Sequence, residues 1–390
     1  MSLANLHQIQ WRKFTPSGDF YDFKPKDLTL ADFYKQGFGI KELFGISSTG
    51  VQSSRDQLVV SCDYDDLQAR MRAFCDASID TEVIRTQFFK KRVQDGQPLG
   101  DSSFWTLQGA RNQLRAQFNE QSIRRYLYLP FDARYIYYDK RVIHRPRDKV
   151  FKHFINGDNI ALVVGRQGGA VGNMAWNLAY ATTDIVYLNV FYRGGGTTFP
   201  LFLFGEQMGI IVKESNLAPE IVQQFTKVVG ETTPELIFNY TYAVLHSPSY
   251  RQKFGEFLER DFPRIPYPTN ADSFLALAEL GARLVSIHTM KDFPEAADVA
   301  FNDADGYEVN RRKWIDGKVF INKASCFTCV EQEVFQHYIG GFQPLSQWLK
   351  DRTGRKLTDK EISHFKRMVQ ALRRTRELMA EIDRLPLPWM

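Results

Sequence analysis

Two kinds of hydrophobic pattern follow one another along the chain and predict a mixed α+β fold. Apolar residues recur every three or four positions through much of the first 125 residues, which is typical of helices. Runs of β-branched and aromatic residues bounded by Gly, Asn or Asp then predict strands. The predicted helices of the first part cover 65–74, 81–92 and 107–126. The predicted strands cover 126–138, 160–166, 184–191 and 199–204, with a helical stretch at 144–153.

Helical periodicity returns from residue 216 and dominates the rest of the chain. Pro219 and Pro234 suit the first turns of two helices, because proline there loses no intrahelical hydrogen bond. Ser247-Pro248 predicts a break in the second of these helices. Further helices are predicted over 250–261 and 271–290.

Turn and capping signals define two more elements near the C-terminus. Residues 306–323 read as a hairpin, with Asp316 and Gly317 in its turn. Thr358 and Glu361 form the pattern of a capping box, which opens a predicted final helix over 358–384.

The length predicts more than one structural unit, since 390 residues exceed what a single hydrophobic core usually serves. The change of pattern along the chain favours three units. We predict a mostly helical N-terminal region over 1–125, a mixed-sheet subdomain over 126–214, and a helix-rich subdomain over 215–390.

The net charge of +5 is mild but unevenly distributed. Residues 134–152 contain seven Lys/Arg and only two aspartates, and residues 345–390 contain eleven Lys/Arg and six acidic residues. Concentrated positive patches on a nearly neutral protein are typical of nucleic-acid binders, although a solvated helix face gives a similar count.

Cysteine content and hydropathy indicate in which cellular compartment the protein is expected. Four cysteines in a chain of this length do not form a disulfide framework, which favours a reducing cytoplasm. The segment Cys326-Phe-Thr-Cys329 has no second ligand pair, and His337 does not complete a standard zinc spacing. The chain has no apolar run long enough to cross a bilayer and no secretory signal pattern at its start, so we expect no membrane partner.

Motifs of catalysis are missing from the sequence. Residues 165–173 are glycine-rich but lack the ending of a phosphate-binding loop, and they do not fit a dinucleotide site. HExxH and GxSxG do not occur, and Asp316-x-Lys318 is only half of a metal-dependent nuclease pattern. We therefore expect a binding protein with no catalytic residue, metal site or cofactor of its own.

Two glycine-rich loops are candidates for ligand contact. The first, GRQGGAVGN at 165–173, follows a predicted strand and can present Arg166 and Gln167 outward. The second is Arg193-Gly-Gly-Gly196, where three glycines allow close approach of a ligand to the backbone. An ordinary surface loop explains either segment equally well.

Five stretches together resemble one known family. They are GISSTGVQSSRDQLVV (45–60), YLPFDARYIYYDKRVIHRPRDKVFKHF (from 128), NIALVVGRQ followed later by FPLFLF, FNYTYAVLHSPSYRQKFGEFLERDFPRIPYP (238–268), and INKASCF with YIGGFQPLSQWLKDRTGRKLTDKEISHFKRMVQAL. In this order, over about 40–385, they resemble the C-terminal specificity region of type ISP and related type IIG fused restriction–modification enzymes.

The resemblance implies that this chain recognises double-stranded DNA. In that family an adenine-N6 methyltransferase domain precedes the region, and a nuclease, with or without a translocase, precedes the methyltransferase. The Asn/Asp-Pro-Pro-Tyr/Phe tetrapeptide of the methyltransferase is not found here. The expected partners are therefore duplex DNA and a methyltransferase domain of the same parent protein. S-adenosylmethionine and magnesium are expected for the parent alone.

Residue chemistry divides the expected DNA contacts into two groups. Arginine, glutamine and asparagine on exposed loops are suited to base edges, and cations near a strand end are suited to phosphates. Base readout is predicted for Arg166, Gln167, Asn173 and Arg193. Phosphate contact is predicted for His144, Arg145, Arg147, Lys149 and Lys152. The aromatic residues of 126–138 are expected to pack in the core, because duplex DNA keeps its bases stacked.

Two other classes of function stay open at this stage. One is a free-standing nuclease or hydrolase that uses scattered acids such as Asp316. The other is a protein–protein docking module whose apolar stripe from Ile362 to Ile382 binds a partner.

Overall fold

A computed structural model gives the fold of the chain. It describes residues 30–89, 98–155, 157–166, 172, 174–207, 209–291 and 293–389. Within these ranges the predicted α+β class is confirmed, with helices and several small sheets mixed along the chain.

Short helices and strands alternate in the first part of the chain. They are α1 (Ala31–Gln36), β1 (Phe38–Gly39), α2 (Ile40–Leu43), β2 (Ser48–Thr49), α3 (Asp56–Val59), β3 (Val60–Ser61), α4 (Tyr64–Cys75), α5 (Thr81–Phe88) and α6 (Leu107–Arg115). Side chains cap three of these helices. Asp63, Asp80 and Thr106 each accept a hydrogen bond from a backbone N–H of the first turn, which is the usual role of these residue types.

Strands dominate the middle of the chain. They are β4 (Ile123–Leu129), β5 (Asp132–Tyr137), then α7 (Asp148–Ile155), β6 (Ala161–Val164), β7 (Ala179–Thr182), β8 (Ile185–Val186), β9 (Thr197–Pro200), β10 (Phe202–Gln207) and β11 (Ile210–Ser215). Two four-stranded sheets result, with the orders β2-β9-β6-β7 and β3-β5-β4-β8. β10 and β11 form a separate hairpin.

Helices dominate the last part. The elements are α8 (Pro219–Val229), α9 (Pro234–His246), α10 (Pro248–Lys253), α11 (Gly255–Leu258), β12 (Arg264–Ile265), α12 (Ala271–Thr289), β13 (Phe301–Asn302), β14 (Lys313–Ile315), β15 (Lys318–Phe320), β16 (Cys326–Phe327), α13 (Gln332–Phe335), α14 (Pro344–Lys350) and α15 (Asp359–Ile382). The four short strands form one sheet in the order β13-β16-β15-β14.

The helical core is built on α9, α12 and α15. Gly281 of α12 lies so close to α9 that a Cβ there would meet the Asn239 carbonyl oxygen at 1.9 Å, so only glycine allows this packing. Most of the apolar stripe of α15 is buried, including Phe365, Met368 and Leu372. This burial removes the free apolar face on which the docking-module alternative depended.

The capping and turn predictions near the C-terminus are confirmed. The Thr358 hydroxyl accepts from the Glu361 backbone N–H at 3.3 Å, and the Glu361 carboxylate accepts from the Thr358 N–H at 3.1 Å. Asp316 and Gly317 join β14 to β15 and both have positive φ, as a tight hairpin turn requires.

Several predicted element bounds are wrong. The helix expected over 107–126 ends at Arg115; Asn119 then caps a 3₁₀ turn, and the following residues pair with β5 as a strand. The strand expected over 126–138 is two antiparallel strands joined at Pro130 and Phe131. The helix expected over 250–261 is interrupted at Phe254. Tertiary pairing with β5 overrides local helical propensity in the first segment, whereas the second differs only by the turn at Pro130 and Phe131.

The three proposed subdomain boundaries stay a prediction. Strand pairs join residues that lie far apart in sequence: Ser48 pairs with Thr198, Val60 with Ile136. The N-terminal segment therefore completes both sheets of the middle part of the chain.

Candidate nucleic-acid interface

The aromatic residues before the basic cluster pack in the core. Tyr126 and Tyr137 are fully buried on β4 and β5. Phe131 is buried at the turn between them with φ 63°, and its backbone N–H donates to the Tyr180 hydroxyl at 3.1 Å. Tyr128 is half-buried beneath the Arg134 guanidinium, which lies 3.6 Å from the ring centre. These rings position the chain that follows and leave none of their faces for DNA bases, as expected.

Two of the nearby cations belong to a buried ion network formed by Asp132, Arg134, Asp351, Arg352 and Glu361. Asp132 is 2% exposed and accepts from Arg134 at 2.7 Å and from Arg352 at 3.1 Å. Burial would raise the pKa of Asp132, but the charges of Arg352 and Arg134 outweigh it and hold that pKa below its ordinary value. The network ties β5 to α14 and α15.

Other basic residues of the cluster form what we term the exposed basic face: His144, Arg145, Lys149 and Lys152. All four are exposed. Among the described residues no carboxylate forms an ion pair with them. Arg141, in contrast, is half-buried and paired with Asp139. The cluster seen in the sequence is therefore two populations, one neutralised inside the protein and one available to a ligand.

Helix α7 displays half of the exposed basic face. Val150, Phe151 and His153 are buried on its inner side, and the His153 Nδ1 accepts from the Phe204 backbone N–H at 2.9 Å. Lys149 and Lys152, three positions apart, share the outer side. The sequence period of the helix thus separates the anchoring residues from the cations.

A sharp turn leads into this helix. Arg147 is half-buried with φ 62°, and its Nε is buried with no hydrogen-bond partner in the structure. The Tyr138 hydroxyl donates to the Pro146 carbonyl oxygen at 2.7 Å and so fixes the turn from below. The predicted contact of Arg147 with a DNA phosphate stays a prediction. Arg147 lies at the base of the exposed basic face, a position that allows its side chain to contact one phosphate.

The first family-like stretch lies directly beside the exposed basic face. Gln52 and Arg145 exchange two backbone hydrogen bonds, of 3.2 and 2.9 Å. The His144 N–H donates to the Ser53 carbonyl oxygen at 3.2 Å. Gly50 packs against the Tyr187 backbone, where a Cβ would meet the carbonyl oxygen at 2.4 Å. The segment 50–57 is therefore fixed on one side by hydrogen bonds to His144 and Arg145 and on the other by packing against Tyr187.

The candidate base-reading segments begin at the same end of one sheet. Val164, the last residue of β6, is opposite Thr197, the first residue of β9, and Thr49, the last residue of β2, is opposite Thr197 on the other side. The segments after β6, before β9 and after β2 consequently converge. The third of these segments is the one that pairs with Arg145, so the end of β6 and the start of β9 lie on the side of the sheet from which the chain continues to the exposed basic face.

Arg166 and Arg193 are both exposed at this end. Arg166 Nε lies 3.2 Å from the Asp261 carboxylate, and both side chains of the pair are more than half exposed, so the pair is worth little and yields readily to a ligand. Arg193 has φ 55° and stacks on Tyr192 with 5.1 Å to the ring centre. Gln167 and Asn173, the other two predicted base readers, lie outside the described residues.

The described ranges contain no cluster of potential metal ligands. No group of three His, Cys, Asp or Glu side chains there could hold a metal ion. Cys326 is buried and Cys329 is exposed, and Asp316 occupies the β14–β15 turn. None of the described helices is long and apolar enough to span a bilayer.

A mixed α+β fold with an exposed basic face, and with exposed arginines close to the ends of β6 and β9, defines a candidate DNA-binding module. Comparison with family models gives the family: the Type ISP C-terminal specificity domain matches residues 42–381. The chain belongs to this family, and the resemblance drawn from its sequence is confirmed. No match was found among curated proteins.

Solved structures with the same fold include two restriction–modification enzymes and one further protein in complex with DNA. The chain matches the ATP-dependent Type ISP enzyme LlaBIII bound to DNA (TM-score 0.68, 16% identity), covering 90% of this chain and 24% of that one. It matches DrdV in a DNA complex (0.73, 17%), covering 100% and 42% respectively. It also matches a nuclease-deletion mutant of the Type ISP enzyme LlaGI with a DNA substrate mimic (0.66, 17%; 96% and 30%). The chain thus spans less than half the length of each of these proteins.

Proposed function

We propose that this chain is the DNA target-recognition domain of a larger restriction–modification enzyme. Membership of the specificity-domain family supports the proposal, and the three proteins of similar fold were all solved with DNA or a DNA mimic. The observation that carries it is the exposed basic face, whose side chains form no ion pair with a carboxylate in the described chain and which is hydrogen-bonded to the segment 50–57.

The two groups of residues have different tasks in this proposal. Arg145, Lys149 and Lys152, with His144 and Arg147, contact phosphates and set the position of the duplex without reading its sequence. Arg166, Gln167, Asn173 and Arg193 contact base edges, where each good contact contributes about 1–3 kcal/mol of discrimination.

Chemistry is assigned to the parent protein rather than to this chain. The chain covers only 24–42% of the similar proteins, which leaves room for other domains. We propose that an adenine methyltransferase domain of the parent uses S-adenosylmethionine, that its nuclease uses magnesium, and that this domain holds the duplex against them.

Fluorescence anisotropy with random-sequence duplex DNA tests the proposal directly. Affinity should fall steeply between about 50 and 200 mM salt, because each phosphate contact releases counterions. The triple variant Arg145→Ala, Lys149→Ala, Lys152→Ala should lower the slope of log affinity against log salt by about 2–3.

A matched variant controls for net charge. Lys318, Lys323 and Lys360 are also exposed but lie outside the basic face, and their replacement by alanine changes the charge equally. This control should bind DNA as the wild type does. Equal losses in the two triple variants, or no wild-type binding at low salt, would contradict the proposal.

Selection from a random duplex library tests the division of tasks. Arg166→Ala should relax the selected sequence at one position while keeping nonspecific affinity. Arg147→Ala should keep the selected sequence but weaken all binding alike and lower the salt slope by about 1. The reverse pattern would exchange the two roles.

A further inference from the structure

A cleft of about 660 Å³ lies beside the exposed basic face, and apart from His144 none of its lining residues has a role in the contacts proposed above. Its walls are the segment 52–57, the segment 98–104 with Phe88 and Phe89, and residues 187–189. His144 of the exposed basic face forms part of the lining as well. The volume is in the usual range for small-molecule sites, and a nucleotide fits it.

The lining combines aromatic rings with neutral hydrogen-bonding groups. Phe104 is 95% exposed, so almost its whole ring is available to a ligand. Gln57, Ser54 and Asn189 are exposed and offer amide and hydroxyl groups. A ring face for stacking and amides for an edge are the contacts by which proteins hold a nucleobase outside the helix.

The charged side chains of the cleft are one arginine, Arg55, and two aspartates, Asp56 and Asp101. Its carboxylates are already engaged: Asp101 with Arg85 at 3.0 Å, and Asp56 with the Ser53 hydroxyl. Arg55 lies 3.6 Å from the centre of the Trp105 ring, and no described carboxylate forms an ion pair with it. Its Nη1 donates to two backbone carbonyl oxygens, and its Nε is buried without a partner. A guanidinium group that forms no ion pair therefore lies beside the aromatic and amide groups of the cleft.

The cleft is continuous with the surface to which phosphates are assigned. His144 belongs to both, and Gln52 at the cleft wall is hydrogen-bonded through its backbone to Arg145. A strand of DNA whose phosphates lie on the exposed basic face therefore passes the mouth of the cleft. Within a duplex, however, the faces of the bases are covered by their neighbours, and only an unstacked base can present its face to Phe104.

We propose that this cleft holds one unstacked nucleobase of the bound DNA, with its ring on Phe104 and its edge towards Gln57 and Asn189. The proposal rests on the proposed DNA-binding function and adds to it a second kind of contact. It also assigns a role to the stretch 45–60, which belongs to the family pattern but received no function from the sequence.

Anisotropy with two duplexes of one sequence tests the cleft. One duplex is fully paired and the other carries a single unpaired adenine, whose unstacking costs little. The wild-type chain should bind the bulged duplex about tenfold more tightly, because one base–aromatic stack contributes about that factor or more. Phe104→Ala should abolish this preference and leave both the affinity for the paired duplex and its salt slope unchanged.

Controls separate the cleft from other causes of the preference. Leu275→Ala removes another exposed apolar side chain, on α12, and should retain the preference. Gln57→Ala should reduce it. A preference that survives in Phe104→Ala would show that the bulge acts through DNA bending and would overturn the cleft proposal.

The outcomes also distinguish this proposal from the proposed function. Equal wild-type affinity for the two duplexes, with normal salt dependence, would overturn the cleft proposal and leave DNA recognition intact. A wild-type chain that binds neither duplex at low salt would contradict the proposed function itself.

Discussion

The buried ion network and the exposed basic face start from the same sequence cluster and reach opposite electrostatic states. Arg134 is 15% exposed and lies between two aspartates, whereas Arg145, eleven residues later, is exposed and has no carboxylate partner in the described chain. In the buried ion network, ion pairs hold secondary-structure elements together. In the exposed basic face, the charged side chains remain available to a ligand.

The difference shows that a count of cations does not locate a binding surface. A buried arginine whose hydrogen-bonding groups meet carboxylates contributes to fold specificity and has little field left for a polyanion. An exposed cation with no partner contributes almost nothing to stability and can release counterions from DNA. Mutations in the two regions should therefore affect different measurements.

Among single substitutions, the largest effect is expected from Asp132→Ala. Removing this carboxylate leaves two buried guanidinium groups with one acid each, Arg134 with Asp351 and Arg352 with Glu361. The free energy of unfolding should fall by about 3 kcal/mol, as measured by urea denaturation. Asp272→Ala, at an exposed position, should change it by less than about 0.5 kcal/mol. A small loss in Asp132→Ala would mean that the network is dispensable.

The next prediction concerns pH. Acid should lower the free energy of unfolding through histidines in the buried part of the protein. Burial lowers the pKa of His364 to about 4 and that of His288 to about 3, against an ordinary value near 6.5. The unfolded chain then binds more protons below pH 6.5, so stability is full above that pH and declines below it.

The size of this loss of stability follows from the two lowered pKa values. Between pH 6.5 and 5, each of these histidines should remove about 2 kcal/mol from the free energy of unfolding. His364→Gln should flatten the slope of stability against pH. A slope unchanged by that substitution would assign the acid sensitivity elsewhere.

Arg145→Ala, in the exposed basic face, should change DNA binding and leave stability nearly unchanged. We expect duplex affinity to fall about tenfold near 0.1 M salt and the salt slope to fall by about 0.9, since one phosphate contact is lost. Unfolding free energy should change by less than about 0.5 kcal/mol, because the side chain is exposed. A stability loss equal to that of Asp132→Ala would remove the distinction between the regions.

The smallest effect is expected from Thr358→Ala, which tests a residue at the edge of the buried ion network. The hydroxyl of Thr358 caps α15, and the Glu361 of the same capping box accepts from Arg352 at 3.0 Å. Loss of the cap should cost about 1 kcal/mol of unfolding free energy, with DNA affinity unaffected. Reduced DNA affinity here would indicate that α15 positions the interface.

Local signals in the sequence determined much of the secondary structure and the family. The capping box of α15, the Asp316–Gly317 turn and the helix from Ala271 each depend on contacts within a few residues, so their patterns predict them well. The order of the five family-like stretches identified the specificity domain over nearly the range that the family model matches.

Tertiary structure alone decided which residues meet. Residues 120–129 become a 3₁₀ turn and a strand because β5 lies beside them. The segment 50–57 becomes part of the interface because Gln52 pairs with Arg145, more than ninety residues away in sequence. The neutralisation of Arg134 depends on Asp351 and on Asp132, which is itself held by Arg352. Such pairings arise from long-range packing, for which a one-dimensional charge pattern carries no information about distance.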